Sequence, residues 1–176
     1  MKFRLSNTED LQRILQVHIN AFGEEEGPTI SSLVTSLLQN QISESNLSIV
    51  AEIDKLIVGH VVFSPVCLST APNMKAFILA PLATDPNFQR KRVGTELVEY
   101  GMNLLRQQYV KVVFVYGDPA YYSRFGFKVE FAANFEPPYA LEHPHGWQAM
   151  AFENDNSLKL PTQIQCVESL TKPELW

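Results

Sequence analysis

Leu79-Ala80-Pro81-Leu82-Ala83-Thr84-Asp85-Pro86-Asn87-Phe88-Gln89-Arg90-Lys91-Arg92-Val93-Gly94-Thr95 is the passage on which the fold turns. It reads as a buried strand, an Asp-Pro turn, a short basic loop and a helix that begins at Val93. The first N–H groups of a helix lack internal partners and carry partial positive charge. A phosphate at that end meets donors already aimed at it. Arg90, Lys91 and Arg92 place three cations together in a chain whose net charge is −5. Gly94 and Thr95 are small enough to let a ligand approach the backbone. These residues fit a pyrophosphate site and equally fit a solvated basic turn that caps an ordinary helix; spacing alone does not separate the two. Neither GxxxxGK[ST] nor GxGxxG occurs, which removes the Walker loop and the dinucleotide fingerprint.

The flanking segments set the architecture. Residues 76–85 are strand, with Pro81 inside; proline donates nothing to a ladder and belongs at an edge or bulge. The helix over 93–108 carries the apolar stripe Val93, Leu97, Val98, Gly101, Leu104 and Leu105. Residues 111–116 form a β-branched and aromatic strand. Asp118 and Pro119 suit the N-cap and first position of a short helix over 120–125, and Gly126 suits its left-handed end. Strands are expected over 127–131 and 147–152, with a weaker one over 162–168. Upstream, residues 2–6 are strand, and Thr8 caps a helix carrying Leu11, Ile14, Leu15 and Phe22. A polar break over 23–28 precedes a second helix with Ile30, Leu33, Val34, Leu37 and Leu38. Strands over 47–53 and 56–63 meet in a hairpin at Asp54-Lys55. The order β-α-α-β-β-β-α-β-α-β, with a β tail, describes a mixed α/β domain rather than a doubly wound sheet. A single domain over 1–176 is expected, its core about 1–152 and its tail 153–176.

Bulk composition excludes several classes. Fourteen Lys and Arg against 19 Asp and Glu argue against general nucleic-acid binding, which needs a basic face. Cys67 and Cys166 are isolated, so neither a disulfide scaffold nor a metal knuckle is expected, and reduced thiols suit the cytoplasm. The longest apolar runs, such as 77–83, are too short to cross a bilayer. Only eight glycines occur in 176 residues, against a usual ~7%, so each one retained invites a reason.

Two ordered segments carry a resemblance. Thr84-Asp85-Pro86 followed by Gln89-Arg90-Lys91-Arg92-Val93-Gly94 resembles the acetyl-CoA motif of the GCN5-related N-acetyltransferases (GNAT), Gln/Arg-x-x-Gly-x-Gly/Ala after a strand end. Gly117-Asp118-Pro119-Ala120-Tyr121-Tyr122-Ser123-Arg124-Phe125-Gly126-Phe127 resembles the family's second motif, Tyr-x-x-x-Gly-Phe. With Ala80-Pro81-Leu82-Ala83, these residues are similar to the predicted acetyltransferases typified by YhbS. Arg92 departs from the motif, which has glycine there.

The resemblance implies an α/β GNAT fold, a mixed central sheet with splayed central strands flanked by helices. It implies transfer of acetyl from acetyl-CoA to a primary amine, by direct attack through a tetrahedral intermediate. Backbone groups of Leu82, Ala83 and Thr84 would hold the pantetheine and polarise the thioester. Gln89, Arg90, Lys91, Arg92, Val93, Gly94 and Thr95 would hold the pyrophosphate. Tyr122 matches the tyrosine that protonates the departing thiolate; Tyr121 lies beside it, and both also fit an aromatic cluster with Phe125 and Phe127. No metal is implied, and family members often form homodimers. The expected partner is a small-molecule or peptide amine, with no nucleic acid and no membrane.

Other residues carry weaker signals. Glu24, Glu25 and Glu26 would sit on the acceptor side or form a solvated loop. His60 would line the cleft or pack inside. His18 reads as core, and His143 and His145 are spaced too loosely for a metal. The competing functions are a non-catalytic acyl-CoA-binding module on the same fold, an unrelated nucleotide-binding protein and a plain interaction domain.

Overall fold

Alternating apolar side chains draw the first strands into a sheet, and the turn chemistry between them sets its register. The structure is a computed structural model and describes residues 1–41, 44–153 and 161–176. It contains two compact units, Met1–Phe63 with Ala80–Leu104 and Ser64–Leu79 with Leu105–Trp176.

In the first unit, β1 (Lys2–Leu5) runs antiparallel to β2 (Leu47–Ile53), which runs antiparallel to β3 (Leu56–Leu68). Asp54 and Lys55 join β2 to β3 with φ of 51° and 67°. Positive φ at both central residues is the requirement of a type I′ hairpin, whose twist matches the strands. β4 (Ala76–Thr84) follows β3 in the strand order, and Asp85 N–H donates to Val58 O at 2.9 Å just beyond its end.

Two helices cover this part of the sheet. In α1 (Leu11–Gln39) only Gly23 leaves helical geometry, with φ 72° and ψ −164°. The expected polar break over 23–28 is therefore one residue wide, because that backbone region is essentially glycine-only and one such residue suffices to kink the helix. Glu24–Pro28 are helical. The N-terminal cap is Asn7, not Thr8: the Asn7 side chain accepts from Glu9 N–H, and the Asp10 carboxylate accepts from Asn7 N–H. Arg4 then ties this end to the sheet, forking onto Asp10 at 2.6 and 2.8 Å and reaching Glu52 at 2.6 Å.

α2 (Val93–Gln107) lies over β3 at Gly59, where a Cβ would come 2.7 Å from Val93 Cγ1 and 2.8 Å from Leu97 Cδ1. His60, pointing to the opposite face by strand alternation, meets α1 instead. The helices thus flank the sheet. Ile14, Val17, Val34, Val50, Ile57 and Ala83 form a buried cluster beneath α1, each large member contributing about 1.5–3 kcal/mol by leaving water.

In the second unit, β4 pairs parallel with β5 (Val112–Tyr116) from Ala76↔Val112 to Leu79↔Val115. β5 pairs antiparallel with β7 (Trp147–Ala151). The end of β3 pairs with β8 (Thr162–Cys166), and β8 with β6 (Phe135–Glu136). β4 is therefore an interior strand, so of the edge or bulge that suits its proline the edge does not apply. The pairing with β5 ends at Leu79, before Pro81, so the missing donor costs that ladder nothing.

Asp118 accepts from Ala120 N–H at 2.9 Å and starts α3 (Pro119–Tyr122), which tightens into a 3₁₀ turn ending at Gly126 with φ 91°. The strand expected over 127–131 is instead a single bridge, Lys128↔Ala149, and then α4 (Val129–Ala132). Phe131 lies in α4, and Phe127 and Phe135, on either side of it, are buried. The expected tail over 153–176 includes 154–160, outside the described residues; its described part contains β8.

Candidate functional site

The basic loop lies in the first unit, between β4 and α2. Ala83 is buried, whereas Leu82 and Thr84 are partly exposed. After Thr84 the buried Asp85 accepts from Asn87 N–H at 3.2 Å and opens a 3₁₀ turn. Gln89, Arg90, Lys91 and Arg92 are all exposed. Val93 turns inward, 1% exposed, and begins α2. The segment therefore presents cations and the open N–H groups of a helical first turn on one exposed stretch, which suits a phosphate.

The backbone of this loop is unusual. Arg90 and Arg92 have φ of 60° and 64°. An L-residue in this left-handed region costs about 1–2 kcal/mol, and only glycine occupies it freely. Arg92 leans toward Glu96 at 3.7 Å, an exposed i,i+4 pair that offsets little of this cost. Lys91 Nζ donates to Asn87 O and sits over the Phe88 ring.

Two groups fasten the loop's start. Arg13 of α1 donates from Nη2 to Asp85 Oδ2 at 2.8 Å and from Nε to Ile57 O at 2.9 Å. Burial alone would raise the Asp85 pKa, but hydrogen bonds from Asn87 N–H, Arg13 and Asn20 outweigh it and hold the carboxyl below its usual range.

Tyr122 lies in the second unit. A Cβ on Gly117 would stand 2.6 Å from Tyr122 Cε2, so only glycine lets this ring lie against the end of β5. Tyr121 meets it edge-on at 5.0 Å and Phe127 at 6.0 Å, with Phe125 at 6.4 Å. The aromatic cluster anticipated around both tyrosines is present. Desolvation, helped by neighbouring Tyr121, raises the Tyr122 pKa and keeps the phenol protonated at neutral pH.

The same unit holds a cavity of about 790 Å³ bordered by Phe135, Tyr139 and Trp147. Glu136 is the one charged side chain on its wall among the described residues.

His18 and His60 form a buried pair. His18 Nε2 lies 2.8 Å from His60 Nδ1, His60 Nε2 lies 2.8 Å from Ser48 Oγ, and Ser6 Oγ donates to Ser48 Oγ at 2.6 Å. With Ser6 donating, Ser48 has its own proton for His60 Nε2, and His60 Nδ1–H serves His18 Nε2. His18 Nδ1 then carries a proton and has no partner among the described residues. Both imidazoles are fully buried, so His60 lines no open cleft. Burial lowers the His18 pKa to about 3 and that of His60 well below 6.5.

A family model for the acetyltransferase (GNAT) domain matches residues 2–129. The chain belongs to the GNAT acetyltransferase family. It is 30% identical over 172 residues to the uncharacterized N-acetyltransferase YjhQ of Escherichia coli, covering 94% of this chain and 92% of YjhQ. A second E. coli relative, the uncharacterized N-acetyltransferase YhbS, is 36% identical over 73 residues, 42% of this chain and 43% of YhbS. Among solved structures, a GNAT acetyltransferase from Brucella melitensis in complex with acetyl-CoA superposes with a TM-score of 0.75 at 26% identity, covering 96% of each chain. YhbS from E. coli in complex with CoA superposes with a TM-score of 0.80 at 22% identity, covering 97% of this chain and 92% of that one.

The GNAT fold expected from the sequence is the fold observed. Both motif segments fall inside the matched span, the loop of 84–95 in the first unit and Tyr122 in the second. At Arg92 the GNAT motif has glycine, and the positive φ found there is the physical reason a glycine suits that position. Glu24–Glu26 are exposed residues of α1. Cys67 and Cys166 are free, and burial pushes the Cys166 thiol up to about 12, which leaves it inert as a nucleophile. Neither Arg13 with Asp85 nor His18 with His60 has a local sequence signal, because the partners lie 72 and 42 residues apart.

Proposed function

We propose that the protein transfers an acetyl group from acetyl-CoA to a primary amine. The observation that carries this reading is the GNAT-family match over residues 2–129, which includes both motif segments. The exposed cations Arg90 and Lys91, beside the first turn of α2, fit an anionic pyrophosphate. When bound, acetyl-CoA supplies an activated acyl thioester. Gln89 to Thr95 hold its phosphates with backbone N–H groups and cationic side chains. Leu82 to Thr84 orient the pantetheine, and a backbone N–H there stabilises the oxyanion that forms when the amine nitrogen attacks the carbonyl carbon. As the C–S bond breaks, Tyr122 gives its proton to the sulfur and later regains one from solvent. Tyr122 is in the protonated form that a general acid requires, and burial, which raises its pKa, holds that proton more tightly. The proton lost by the amine goes to solvent.

The same reading takes the chain as one functional domain, acting in the cytoplasm, where its two free cysteines stay reduced. Homodimer formation belongs to this proposal as well.

The test is a free-thiol assay across amines, amino acids, peptides and aminoglycosides, with wild type and Tyr122→Phe. Turnover by wild type, with Tyr122→Phe binding acetyl-CoA normally yet releasing thiol at about 1% or less of the wild-type rate, supports the reading. Absence of thiol release with every amine, despite acetyl-CoA binding, favours a non-catalytic acyl-CoA module. Tighter calorimetric binding of ATP than of acetyl-CoA would overturn the assignment.

A further inference from the structure

We propose that Arg13 of α1 is a positioning residue for the phosphate-facing loop and acts through Asp85; the inference rests on the acetyl-CoA reading. Asp85 is the first residue of the loop and is 3% exposed. Its carboxylate is enclosed by donors: Arg13 Nη2 on one oxygen, and Asn87 N–H and Asn87 Nδ2 on the other. Asp85 N–H is anchored separately to Val58 O, so backbone and side chain are both fixed.

Arg13 does more than neutralise this carboxylate. Its Nε also reaches Ile57 O, so one planar guanidinium holds β3 and the loop start in a fixed relation. At its far end the loop is held by Val93, packed over Gly59. The loop is thus pinned at both ends against β3. Between the pins lie Arg90 and Arg92, both in left-handed geometry. Such residues persist only where the surroundings over-determine them. At the Asp85 end the tie from α1 is a pair that one substitution can break, leaving Asp85 N–H on Val58 O as the remaining anchor to β3. Loosening it lets the loop relax toward ordinary backbone geometry, which turns its N–H groups and cations away from the place a phosphate occupies. Arg13 need not touch the donor to set its affinity.

The test compares acetyl-CoA with S-acetyl-pantetheine, which carries the same thioester without phosphates, in wild type, Arg13→Gln, Asp85→Asn and Arg13→Lys. The expected result is an increase of about tenfold or more in KM for acetyl-CoA in Arg13→Gln and Asp85→Asn, with kcat nearly kept. kcat/KM for S-acetyl-pantetheine should be unchanged. Arg13→Lys, which keeps the charge but cannot span both acceptors, should fall between. The double variant should be no worse than the poorer single one, because both act on one contact. Equal losses with both donors, or unchanged KM for acetyl-CoA in Arg13→Gln, overturn the proposal. If Arg13→Gln does not fold, Arg13→Lys still gives the donor comparison. A wild-type protein inactive with both donors and unable to bind CoA overturns the acetyltransferase reading itself, a result distinct from failure of the variants.

Discussion

Mild acid should weaken the fold through His18 and His60. In the unfolded chain both imidazoles titrate near the ordinary value of about 6.5. In the folded chain burial holds His18 at about 3 and keeps His60 well below 6.5. Between those values the unfolded state binds up to two protons that the folded state refuses. The stabilising contribution is therefore complete above about pH 6.5 and is lost as pH falls toward 3. Each proton is worth about 1.4 kcal/mol per pH unit, so moving from pH 6.5 to 5 costs about 2 kcal/mol through His18, and His60 adds to the loss in the same direction. That is a large share of the ~5–15 kcal/mol that holds a typical domain together. Asp10 and Asp85 have lowered pKa values and weaken the fold only in stronger acid, so the range from pH 5 to 7 isolates the histidines. The assay is urea unfolding at pH 7, 6, 5.5 and 5, with His60→Gln as the comparison. Glutamine keeps a polar partner for Ser48 but cannot take a proton, and the pH slope should fall. The His18 imidazole nitrogen resonances should stay neutral to pH 5 in the folded protein. A midpoint unchanged from pH 7 to 5, or buried imidazoles that titrate near 6.5, would refute the reasoning.

Three substitutions probe other parts of the structure. Arg92→Gly should raise stability by about 0.5–1 kcal/mol, the left-handed strain of about 1–2 kcal/mol less the added chain entropy of glycine. The gain should appear as a Tm increase of a few degrees; a decrease would show that the loop is not strained at that position. Gly117→Ala must push Tyr122 aside, costing about 1–3 kcal/mol. It should also lower thiol release more than acetyl-CoA affinity, which a parallel titration and rate measurement would reveal. Gly23→Ala should cost about 1–3 kcal/mol, because alanine does not adopt that backbone region without strain. Denaturant melts showing no loss would mean that α1 straightens without consequence.

Local chemistry was readable from the sequence wherever neighbouring residues decide the outcome. Asp118 and Pro119 cap and open their short helix, Gly126 ends it because it lacks a Cβ, and Asp54-Lys55 turns the hairpin. The element order gave a mixed α/β domain, and the resemblance carried by the two motif segments implied the GNAT fold. Errors arose where two local signals compete. Asn7 and Thr8 are both good caps, and only the reciprocal bond from Asp10 decides between them. Residues 127–131 are rich in strand-forming side chains, yet only Lys128 pairs, with Ala149, before the chain turns into α4. Arg13 with Asp85, and His18 with His60, were illegible because tertiary folding alone brings those residues together. No periodicity records a bond across 72 residues.

The series Ser6, Ser48, His60 and His18 has one further consequence. Its three hydrogen bonds share a direction, because each hydroxyl or neutral imidazole that accepts on one side donates on the other. The members therefore cannot be set one at a time. Read from β1 toward α1, the series behaves as one oriented dipole with two orientations. Reversing it strips the proton from His18 Nδ1 and leaves a bare lone pair. Ser6, at the far end, thus decides whether a buried nitrogen on α1 offers a hydrogen or asks for one. Ser6→Ala removes that instruction, and the imidazole tautomers report the change without any atom near His18 having been altered.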